Sequence, residues 1–372
     1  MSATDAIVVG GGLVGVAIAH GLQRQGLAVA LLDEGDVAHR ASRGNFGLVW
    51  VQSKGIGAPH YQRWTRDSAA EWPALAATLR EATGIDPALH QPGGVTLCLS
   101  EAELAERAES LARLRRESGN AGYEYRLLDP AALREMLPGL GPRVVGGSYT
   151  PYDGHASPLH LLRALHTAFR DAGGAYHPNT TVATLRPAPH DFAVEAAGTT
   201  LRAPRLVLAA GLGNAALAPL VGLSAPLRPE RGQIIVTERA APVLPMPLVN
   251  IRQTGEGSLL IGNSAEEAGF DTLTQSPPVL RDMARRAVLC FPWIAGLNVV
   301  RAWSALRVMS PDGRPIYDQS ERFPGAFLAT CHSGVTLAAA HARLLAPMIA
   351  AGALTTAMSP FGAGRFDVQN AA

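Results

Sequence analysis

Near its start the chain has the sequence Ala6-Ile-Val-Val-Gly10-Gly-Gly-Leu-Val-Gly15, and the interpretation of the fold follows from this segment. The apolar run predicts a short buried strand of a parallel sheet, and the glycines form a G-x-G-x-x-G turn. Val16 to Gln25 continue as a helix with an apolar face, and Leu27 to Leu32 predict a second buried strand. These residues therefore predict a β-α-β unit at the start of the chain.

Each glycine of the turn has a physical role in binding a dinucleotide. Gly10 permits the tight turn, Gly12 lets the backbone approach a pyrophosphate, and Gly15 lets the helix pack closely on the strand. The helix N-terminus offers unpaired N–H groups and a positive dipole to the phosphates. Asp33, at the end of the second strand, can accept hydrogen bonds from an adenosine ribose. The pattern predicts a dinucleotide site but does not separate FAD from NAD, and an empty relic of the fold stays open as the alternative.

Composition excludes several other classes of protein. The chain has 372 residues, enough for two domains, and 47% of them are hydrophobic, enough for a large core. Its formal net charge is +1, so we expect no nucleic-acid partner. The three cysteines, Cys98, Cys290 and Cys331, are scattered and form no C-x-x-C pair. We therefore expect no disulfide framework, no metal site and no chain-borne iron–sulfur cluster.

The N-terminal segment also bears on where in the cell the protein is expected. The first predicted strand begins at residue 6, which leaves no room for a signal peptide. The apolar stretch from Ala6 to Ala19 is glycine-rich and shorter than the roughly 20 residues that cross a bilayer. We therefore expect a cytoplasmic protein whose contact with a membrane is at most peripheral.

The rest of the chain divides into segments of two kinds. Leu206 to Gly211 is again a buried strand that ends in glycine, and Ala326 to Thr330 is a last buried strand before a long C-terminal helix. We expect both strands to join the first parallel sheet. From Gln233 to Thr237 onward the pattern changes to antiparallel strands, two of which are joined by a hairpin at Thr254-Gly-Glu-Gly257.

An amphipathic helix is predicted after the first β-α-β unit. Its inward face recurs at intervals of three and four residues, at Tyr61, Trp64, Ser68, Trp72, Leu75 and Leu79. We interpret this aromatic face as core packing. Pro73 falls inside the pattern, so we expect a kink or the start of a new segment there.

Together these segments predict an α/β protein in which a nucleotide-binding domain is interrupted by a second domain. We assign residues 1–85, 141–228 and 310–372 to the nucleotide-binding domain, which has a Rossmann-like arrangement. We assign residues 86–140 and 229–309 to an α+β substrate-binding domain with a mixed or antiparallel sheet.

This order of motifs resembles the D-amino-acid-oxidase-like family of FAD-dependent oxidoreductases over nearly the whole chain. Ala41-Ser-Arg-Gly-Asn45 is similar to the family's second flavin loop, and Leu206 to Gly211 is similar to its late strand and glycine. Arg231-Gly-Gln233 resembles the entry to the substrate sheet. Arg301 to Pro315 is similar to the signature R-x-W-x-G-x-R-P-x-T-P-D-G-x-P, and His332-Ser-Gly-Val-Thr336 is similar to the closing G-H-S-G-x-T loop.

The resemblance implies a glutathione-reductase-type domain that binds FAD. FMN stays open if the chain works in a multi-subunit complex, but Asp33 favours FAD because it has a ribose to hold only when the adenosine half is present. By the same resemblance, the cofactor-binding residues are Gly10, Gly12, Leu13, Val14, Gly15, Asp33, Glu34, Ser42, Arg43, Asn45, Gly47, Val182, Gly211, Ser333, Gly334, Val335 and Thr336.

Departures from the family pattern bear on the site. Cys331 stands where the family usually has glycine, so a covalent flavin bond at this thiol is a minor alternative. Ser304 and Val308 replace a commoner glycine and proline of the signature, which should reshape the edge of the pocket.

The reaction that the resemblance implies is oxidation of an amine beside a carboxylate. A hydride passes from the substrate Cα to flavin N5 and an imine forms. A carboxylate needs a planar, bidentate cation, which is the role of arginine. Arg307, at the R-P position of the signature, is our first candidate for this contact and Arg252 is the second, while a structural salt bridge is the alternative role of Arg307. We assign catalytic roles to Arg307 and His332, and Lys54, near the flavin loop, is a weaker candidate.

A narrower resemblance concerns substrate and partners. Gly44 to Trp50 and the helix that starts near Tyr61 look most like D-hydroxyproline dehydrogenases, opine oxidase small subunits and hydrogen cyanide synthase subunits. This implies a small amino or imino acid as substrate, such as D-proline, D-hydroxyproline or an opine, and a hetero-oligomer with electron-transfer subunits. Two alternatives stay open: an oxidase that delivers electrons to oxygen, and a non-catalytic flavin-binding subunit.

Overall fold

A computed structural model describes residues 4–35, 41–119, 123–188 and 191–370, with the side chains of residues 368–370 left aside. The strands are β1 Ala6–Val9, β2 Val29–Leu32, β3 Leu48–Val49, β4 Gly94–Cys98, β5 Arg126–Leu128, β6 Gly146–Thr150, β7 Gly154–His155, β8 Ala175–His177, β9 Val182–Ala188, β10 Asp191–Ala196, β11 Thr199–Ala203, β12 Arg205–Leu208, β13 Arg228–Arg239, β14 Ile251–Gln253, β15 Ser258–Ile261, β16 Val299–Met309, β17 Ile316–Gln319 and β18 Ala326–Thr330. The α-helices are α1 Leu13–Arg24, α2 Pro59–Thr83, α3 Glu101–Glu117, α4 Pro130–Met136, α5 Pro158–Asp171, α6 Asn214–Leu217, α7 Pro277–Cys290, α8 Ala338–Ala340 and α9 Ala346–Ala350.

A six-stranded sheet is built from the N-terminal, middle and C-terminal parts of the chain, in the order β17-β18-β12-β1-β2-β8. β1 pairs in parallel with β2 on one side and with β12 on the other, and β12 pairs in parallel with β18. Successive residues of β1, such as Ile7 and Val8, belong to different buried clusters, so both faces of the sheet are covered. The predicted parallel sheet, and the return of the two later strands to it, are confirmed.

The β-α-β unit has slightly different bounds from those predicted. Helix α1 begins at Leu13, three residues earlier than expected, because Gly12 is extended and its carbonyl already accepts from the Val16 N–H over 2.9 Å. After the helix, the N–H of Leu27 still donates to the Leu22 carbonyl, so the second strand starts only at Val29. The turn therefore feeds directly into the helix N-terminus, as a phosphate site requires.

Helix α2 is continuous through Pro73, so no new segment starts there. Pro73 lacks the N–H that would bond the carbonyl of Ala69. The side-chain amide of Gln91 donates to that carbonyl over 3.0 Å instead. On the inner face, Trp72 Nε1 donates to the carbonyl of Val335 over 3.1 Å, which ties the helix to the closing loop. Tertiary hydrogen bonds thus offset the local cost of the proline.

A four-stranded antiparallel sheet, ordered β14-β15-β13-β16, follows later in the chain. The long pairing of β13 with β16 places Glu230 opposite Arg307 and Gln233 opposite Ser304. The predicted hairpin from Thr254 to Gly257 joins β14 to β15. This sheet corresponds to the predicted substrate sheet and brings the signature strand, β16, to its edge.

A smaller sheet, ordered β4-β6-β5, crosses the predicted domain boundary. β4 and β5 lie in the segment assigned to substrate binding, whereas β6 lies in the segment assigned to the nucleotide. Val95 of β4 forms a bridge with Leu248, and both side chains share one buried cluster. We therefore propose that the substrate-binding domain extends to Thr150.

The C-terminal helix starts four residues after Gly334, at Ala338, and it is not uniformly α-helical. A π-helical stretch, His341–Leu345, separates α8 from α9. Pro347 has no N–H for the carbonyl of Arg343, which removes one α-helical hydrogen bond at the end of this stretch. Among the residues that the structure describes, no helix combines the length and the apolar character that a membrane crossing needs.

Candidate active site

The G-x-G-x-x-G turn forms a cradle that side chains would fill. Gly10 has φ of +109°, and a Cβ there would lie 2.4 Å from the carbonyl oxygen of Ala209, which directly follows the neighbouring strand β12. A Cβ on Gly15 would lie 1.8 Å from the carbonyl oxygen of Gly10. At Gly12 a Cβ would meet Oγ of Ser42 at 2.9 Å. The turn thus leaves the backbone open at the helix N-terminus, the position that suits a pyrophosphate.

Asp33 braces this turn. Its Oδ2 accepts from the N–H of Gly11 over 2.6 Å, and its Oδ1 accepts from the N–H of Gly35 over 3.0 Å. Each oxygen keeps a second lone pair, because a carboxylate has about four acceptor sites. The arrangement is compatible with the predicted ribose contact, and it adds a structural role that the sequence motif did not indicate.

The predicted second flavin loop lies against the same helix N-terminus. Oγ of Ser42 accepts from the N–H of Leu13 over 2.9 Å, and Oδ1 of Asn45 accepts from the N–H of Gly47 over 2.8 Å. Gly47 has φ of +95°, and a Cβ there would lie 2.5 Å from the carbonyl oxygen of Ala156. The loop therefore needs glycine at this position, and it places Ser42 and Asn45 next to the cradle.

The loop after β18 completes the junction. A Cβ on Gly334 would lie 3.8 Å from Cβ of Leu13 and 3.9 Å from Cγ2 of Val14. Oγ1 of Thr336 accepts from the N–H of Trp50 over 3.2 Å, which links this loop to the strand after the second flavin loop. Three sequence-distant segments that were predicted to hold the cofactor therefore meet.

A cavity of about 360 Å³ lies between these loops and the antiparallel sheet. Predicted site residues form part of its wall, namely Asn45, Arg307, His332, Ser333, Val335 and Thr336. The wall also includes Lys54, Glu230 and the inward residues of β13 and β16. The second flavin loop and the loop after β18 thus share this cavity with the predicted substrate residue Arg307.

Lys54 is at the centre of a hydrogen-bonded cluster on the cavity wall. Its Nζ lies 3.0 Å from Nε2 of His332 and donates to Oγ of Ser333 over 3.1 Å. The same Oγ lies 3.1 Å from Nε2 of His332 and 3.3 Å from the hydroxyl of Tyr61. The cluster couples the segment that carries Lys54 to the loop after β18.

Burial sets the charge of this cluster. It lowers the pKa of Lys54 to about 8, and the positive charge of Arg307 acts in the same direction. Burial also holds the pKa of His332 well below its ordinary value, and Lys54 and Arg307 lower it further. A neutral imidazole beside a donor-only ammonium group accepts through Nε2. At neutral pH the cluster therefore presents a single positive charge, located on Lys54.

Arg307 supplies a second positive charge. Its Nη1 donates to Oε1 of Glu230 over 2.9 Å, across the pairing of β13 and β16. A Cβ on Gly232 would lie 2.8 Å from Nη2, so glycine makes room for the guanidinium. Among the described residues, no acceptor bonds Nε or Nη2 of Arg307. The salt bridge and the carboxylate contact are therefore compatible roles, since Glu230 orients the guanidinium and leaves other donors for a ligand.

Arg252, the second candidate for the carboxylate contact, is not part of the cavity wall. It is 4% exposed, its Nε donates to the carbonyl of Phe46, and its Nη1 lies 3.4 Å from Nδ1 of His155. Burial lowers the pKa of Arg252 to about 10. Because Phe46 lines the cavity, Arg252 supports the wall from behind, and its contact with substrate remains a prediction.

The remaining predicted residues are dispersed. Val182 begins β9, and Gly211 follows β12 with φ of +59°. Glu34 and Arg43 are exposed. The contacts of these four residues with the cofactor also remain predictions.

Cys331 is buried outside the cavity wall, and burial raises the pKa of its thiol to about 12, which disfavours the thiolate that a covalent bond needs.

Asp153 is a site residue that sequence reasoning missed. Its fully buried carboxylate accepts from the N–H groups of Val51 and Gln52 over 2.5 and 3.3 Å, and from the Thr150 hydroxyl over 2.5 Å. Burial raises the pKa of Asp153 to about 6, so it is ionised at neutral pH. It holds the segment that ends at Lys54. The only signal in the sequence was an ordinary turn, Pro151-Tyr-Asp-Gly154, so this role could not be foreseen.

Replacing Asp153 with asparagine should lower the free energy of unfolding by about 2 kcal/mol or more. The NH2 group of the amide would face buried N–H and O–H donors that now bond the carboxylate, and each buried donor left without an acceptor costs about 1–3 kcal/mol. Chemical denaturation of the flavin-loaded protein measures this effect. D191N is the matched control, because Asp191 pairs with Arg202 at the surface, where an ion pair is worth about 0–1 kcal/mol. Equal losses in the two variants would contradict the bracing role.

The pH dependence of anion binding should report on Lys54. The ammonium is charged below its pKa of about 8, so the affinity for a simple carboxylate such as acetate should fall as pH rises through that value. Loss of one charge-assisted contact weakens binding by about tenfold or more. Titration followed by the flavin spectrum, from neutral to alkaline pH, measures the effect. K54R should bind independently of pH, whereas K54Q should bind weakly throughout. A wild-type profile that matches K54R would rule out Lys54.

The fold and the site define a dinucleotide-dependent oxidoreductase. The glycine cradle at the helix N-terminus fits a pyrophosphate, and the cavity between the neighbouring loops has room for a small substrate. The family model described as DAO, FAD dependent oxidoreductase, matches residues 5–348. The chain therefore belongs to this family, as the motifs predicted, and FAD is its cofactor.

Relatives match the chain over its full length. An opine oxidase subunit from Rhizobium meliloti is 47% identical over 371 residues, which cover 100% of both chains. The corresponding opine oxidase subunit from Agrobacterium tumefaciens (strain Ach5) is 45% identical with the same coverage. Among solved structures, glycine oxidase from Geobacillus kaustophilus superposes with a TM-score of 0.87 at 29% identity, covering 96% of this chain and 97% of that one. The predicted α/β fold class is confirmed.

Proposed function

We propose that this FAD-dependent oxidoreductase oxidises the amine of an opine, or of a related D-amino or imino acid, to an imine. The observation that carries the proposal is that Arg307, oriented by Glu230, shares one cavity with the Lys54 cluster. The strong similarity to two opine oxidase subunits supports the opine as first choice within this substrate class.

The charges of the cavity suit such a substrate. Arg307 offers a planar guanidinium and Lys54 a compact ammonium, so two separate cations face one acid, Glu230. An opine is a secondary amine that carries more than one carboxylate, and a pair of cations can bind two carboxylates at once. When bound, FAD accepts the hydride from the substrate carbon. The residues of the chain bind and orient the substrate, and no strong base is needed if the amine binds in its neutral form.

We also propose that electrons leave through a carrier or a partner subunit. Both opine oxidase relatives are named as one subunit of that enzyme, which supports a hetero-oligomer. A non-catalytic flavin-binding role is disfavoured by Arg307 and Lys54, because a chain that binds no substrate has no need of two cations in the cavity.

A second candidate is an oxidase that passes electrons to oxygen. Glycine oxidases from several bacteria align with more than nine-tenths of the chain, although at lower identity. Lys54, a half-buried cation on the cavity wall, is the feature that favours this candidate, because a positive charge stabilises reduced oxygen species.

Anaerobic visible spectra of the flavin-loaded protein test the proposal. We expect an opine to bleach the oxidised flavin band, and D-proline, D-hydroxyproline and sarcosine rank the alternatives. L-proline is the stereochemical control, since a D-specific site should reduce its flavin only with the D-enantiomer. Peroxide released under air with substrate alone would favour the oxidase. Failure of every amine to bleach the flavin, with and without co-expressed partner subunits, would overturn the proposal.

A further inference from the structure

A second cleft lies far from the cavity described above. It has a volume of about 230 Å³ and is bordered by the end of α1, the C-terminal half of α2 and the π-helical stretch. Arg24 ends α1, roughly 16 Å along the helix axis from Leu13 at 1.5 Å per residue. The cleft is therefore separated from the fingerprint turn by nearly the whole length of α1.

His20 forms the buried base of this cleft. It is 6% exposed, and neither of its ring nitrogens has a hydrogen-bond partner among the described residues. Burial, together with the positive charge of Arg24, lowers the pKa of His20 to about 4, so the ring is neutral. A buried polar group without a partner costs free energy, and native proteins nearly always satisfy such groups. The unpaired ring is an independent indication that something polar occupies the cleft.

Two arginines stand at the rim. Arg24 has no carboxylate partner among the described residues, whereas Nε of Arg343 donates to Oε2 of Glu71 over 2.5 Å. Two positive charges thus face one negative charge. Thr78 and Gln25, which also line the cleft, add a hydroxyl and an amide donor. The lining therefore offers mainly hydrogen-bond donors and an excess of positive charge.

The cleft is preformed by close helix packing. A Cβ on Gly21 would lie 2.3 Å from the carbonyl oxygen of Ala342, so α1 touches the π-helical stretch backbone to backbone. π-Helical turns are rare and frequently lie at functional sites. Here the wider turn presents Ala342 and Arg343 to the cleft.

We propose that this cleft binds a phosphate group, either as free phosphate or as the phosphomonoester of a small molecule. Guanidinium groups match phosphate oxygens bidentately, and a phosphate group has more terminal oxygens than a carboxylate, so both arginines and His20 can donate to one anion. His20 donates its remaining N–H to the bound anion. The volume is many times the space that one water needs, so a tetrahedral anion with an attached group has room.

Thermal unfolding of the flavin-loaded protein tests the site without turnover, so its outcome is independent of the proposed substrate. Inorganic phosphate should raise the midpoint above that in chloride of equal ionic strength. A ligand present at a concentration of ten times its dissociation constant raises the apparent equilibrium constant for folding about 11-fold. R24Q and R343Q should each weaken phosphate binding by about tenfold and remove most of this gain. R285Q is the matched control, because Arg285 is an exposed helical arginine remote from the cleft lining.

The flavin spectrum separates the two cavities. Phosphate in the cleft should leave the spectrum unchanged, whereas binding beside Lys54 and Arg307 should perturb it. AMP provides the second arm: tighter binding than inorganic phosphate identifies a phosphomonoester ligand, and equal or weaker binding identifies free phosphate. No gain over chloride, or a full gain retained in both R24Q and R343Q, would overturn the proposal.

Discussion

R307Q should lower kcat/KM for the amine substrate by about 100-fold or more, while the flavin content stays at the wild-type level. Glutamine keeps a polar side chain but removes the positive charge and the fork of donors that Glu230 orients toward a ligand. Each charge-assisted hydrogen bond is worth about 1.5–3 kcal/mol, and every 1.4 kcal/mol corresponds to about tenfold. The substrate concentration for half-maximal flavin reduction should account for most of the change, because Arg307 binds the carboxylate and the reacting bond lies elsewhere.

Stopped-flow reduction of the flavin under anaerobic conditions separates binding from the rate of reduction in this variant. R301Q is the matched control. Arg301 lies on the same strand, is exposed, and contacts the ring of Trp303. Its loss should leave substrate affinity within about twofold of wild type, as expected for an exposed side chain outside the site. If R307Q and R301Q behaved alike, Arg307 would be a structural residue and the carboxylate contact would have to be sought at Lys54.

G15A should yield a protein that is strongly destabilised and loses its flavin. The added Cβ would lie 1.8 Å from the carbonyl oxygen of Gly10, a backbone atom that cannot move without opening the turn. Overpacking of a tight site costs about 1–3 kcal/mol and occasionally more. The displaced turn would also withdraw the N–H groups that face the pyrophosphate. The flavin-to-protein absorbance ratio after purification and the thermal midpoint measure the two effects.

G296A is the control for a glycine without such a contact. A Cβ on Gly296 would meet no heavy atom within 4 Å, and its φ lies outside the left-handed region. This variant should keep its flavin and stay within about 0.5 kcal/mol of wild type. A G15A protein that purified yellow with an unchanged midpoint would show that the helix and the turn separate more easily than this packing implies.

The sequence predicted those secondary-structure elements that are determined by neighbouring residues in the chain. The apolar run before Gly10 and the helix after the turn follow from residue periodicity and from glycine conformations, so the β-α-β unit was foreseen to within a few residues. Pro73 shows where such reasoning stops. The proline removes one backbone hydrogen bond, and the sequence around it gave no sign that Gln91, far along the chain, satisfies the orphaned carbonyl of Ala69.

In the candidate site, too, the sequence predicted some residues, whereas the role of others depends on segments that are distant in the chain. Motif position selected Arg307 and His332, which the structure places on one cavity wall, but it ranked Arg252 above Lys54. The catalytic and binding roles of these residues stay predictions. An isolated lysine in a loop carries no sequence signature. Its importance arises because distant segments return to it, with His332 and Ser333 after the last strand and with Arg307 on the antiparallel sheet.

The sequence by itself therefore determined the nucleotide-binding unit, the family and the type of cofactor, because these depend on residues that are close together in the chain and on backbone conformations that glycine alone permits. Only the tertiary structure decided how charge is distributed in the substrate cavity. Glu230 orients Arg307 through the register of two strands, and Asp153 supports Lys54 through a turn about 100 residues later. Electrostatic interactions depend on distance in space and on burial, and neither quantity can be obtained from the spacing of residues along the chain.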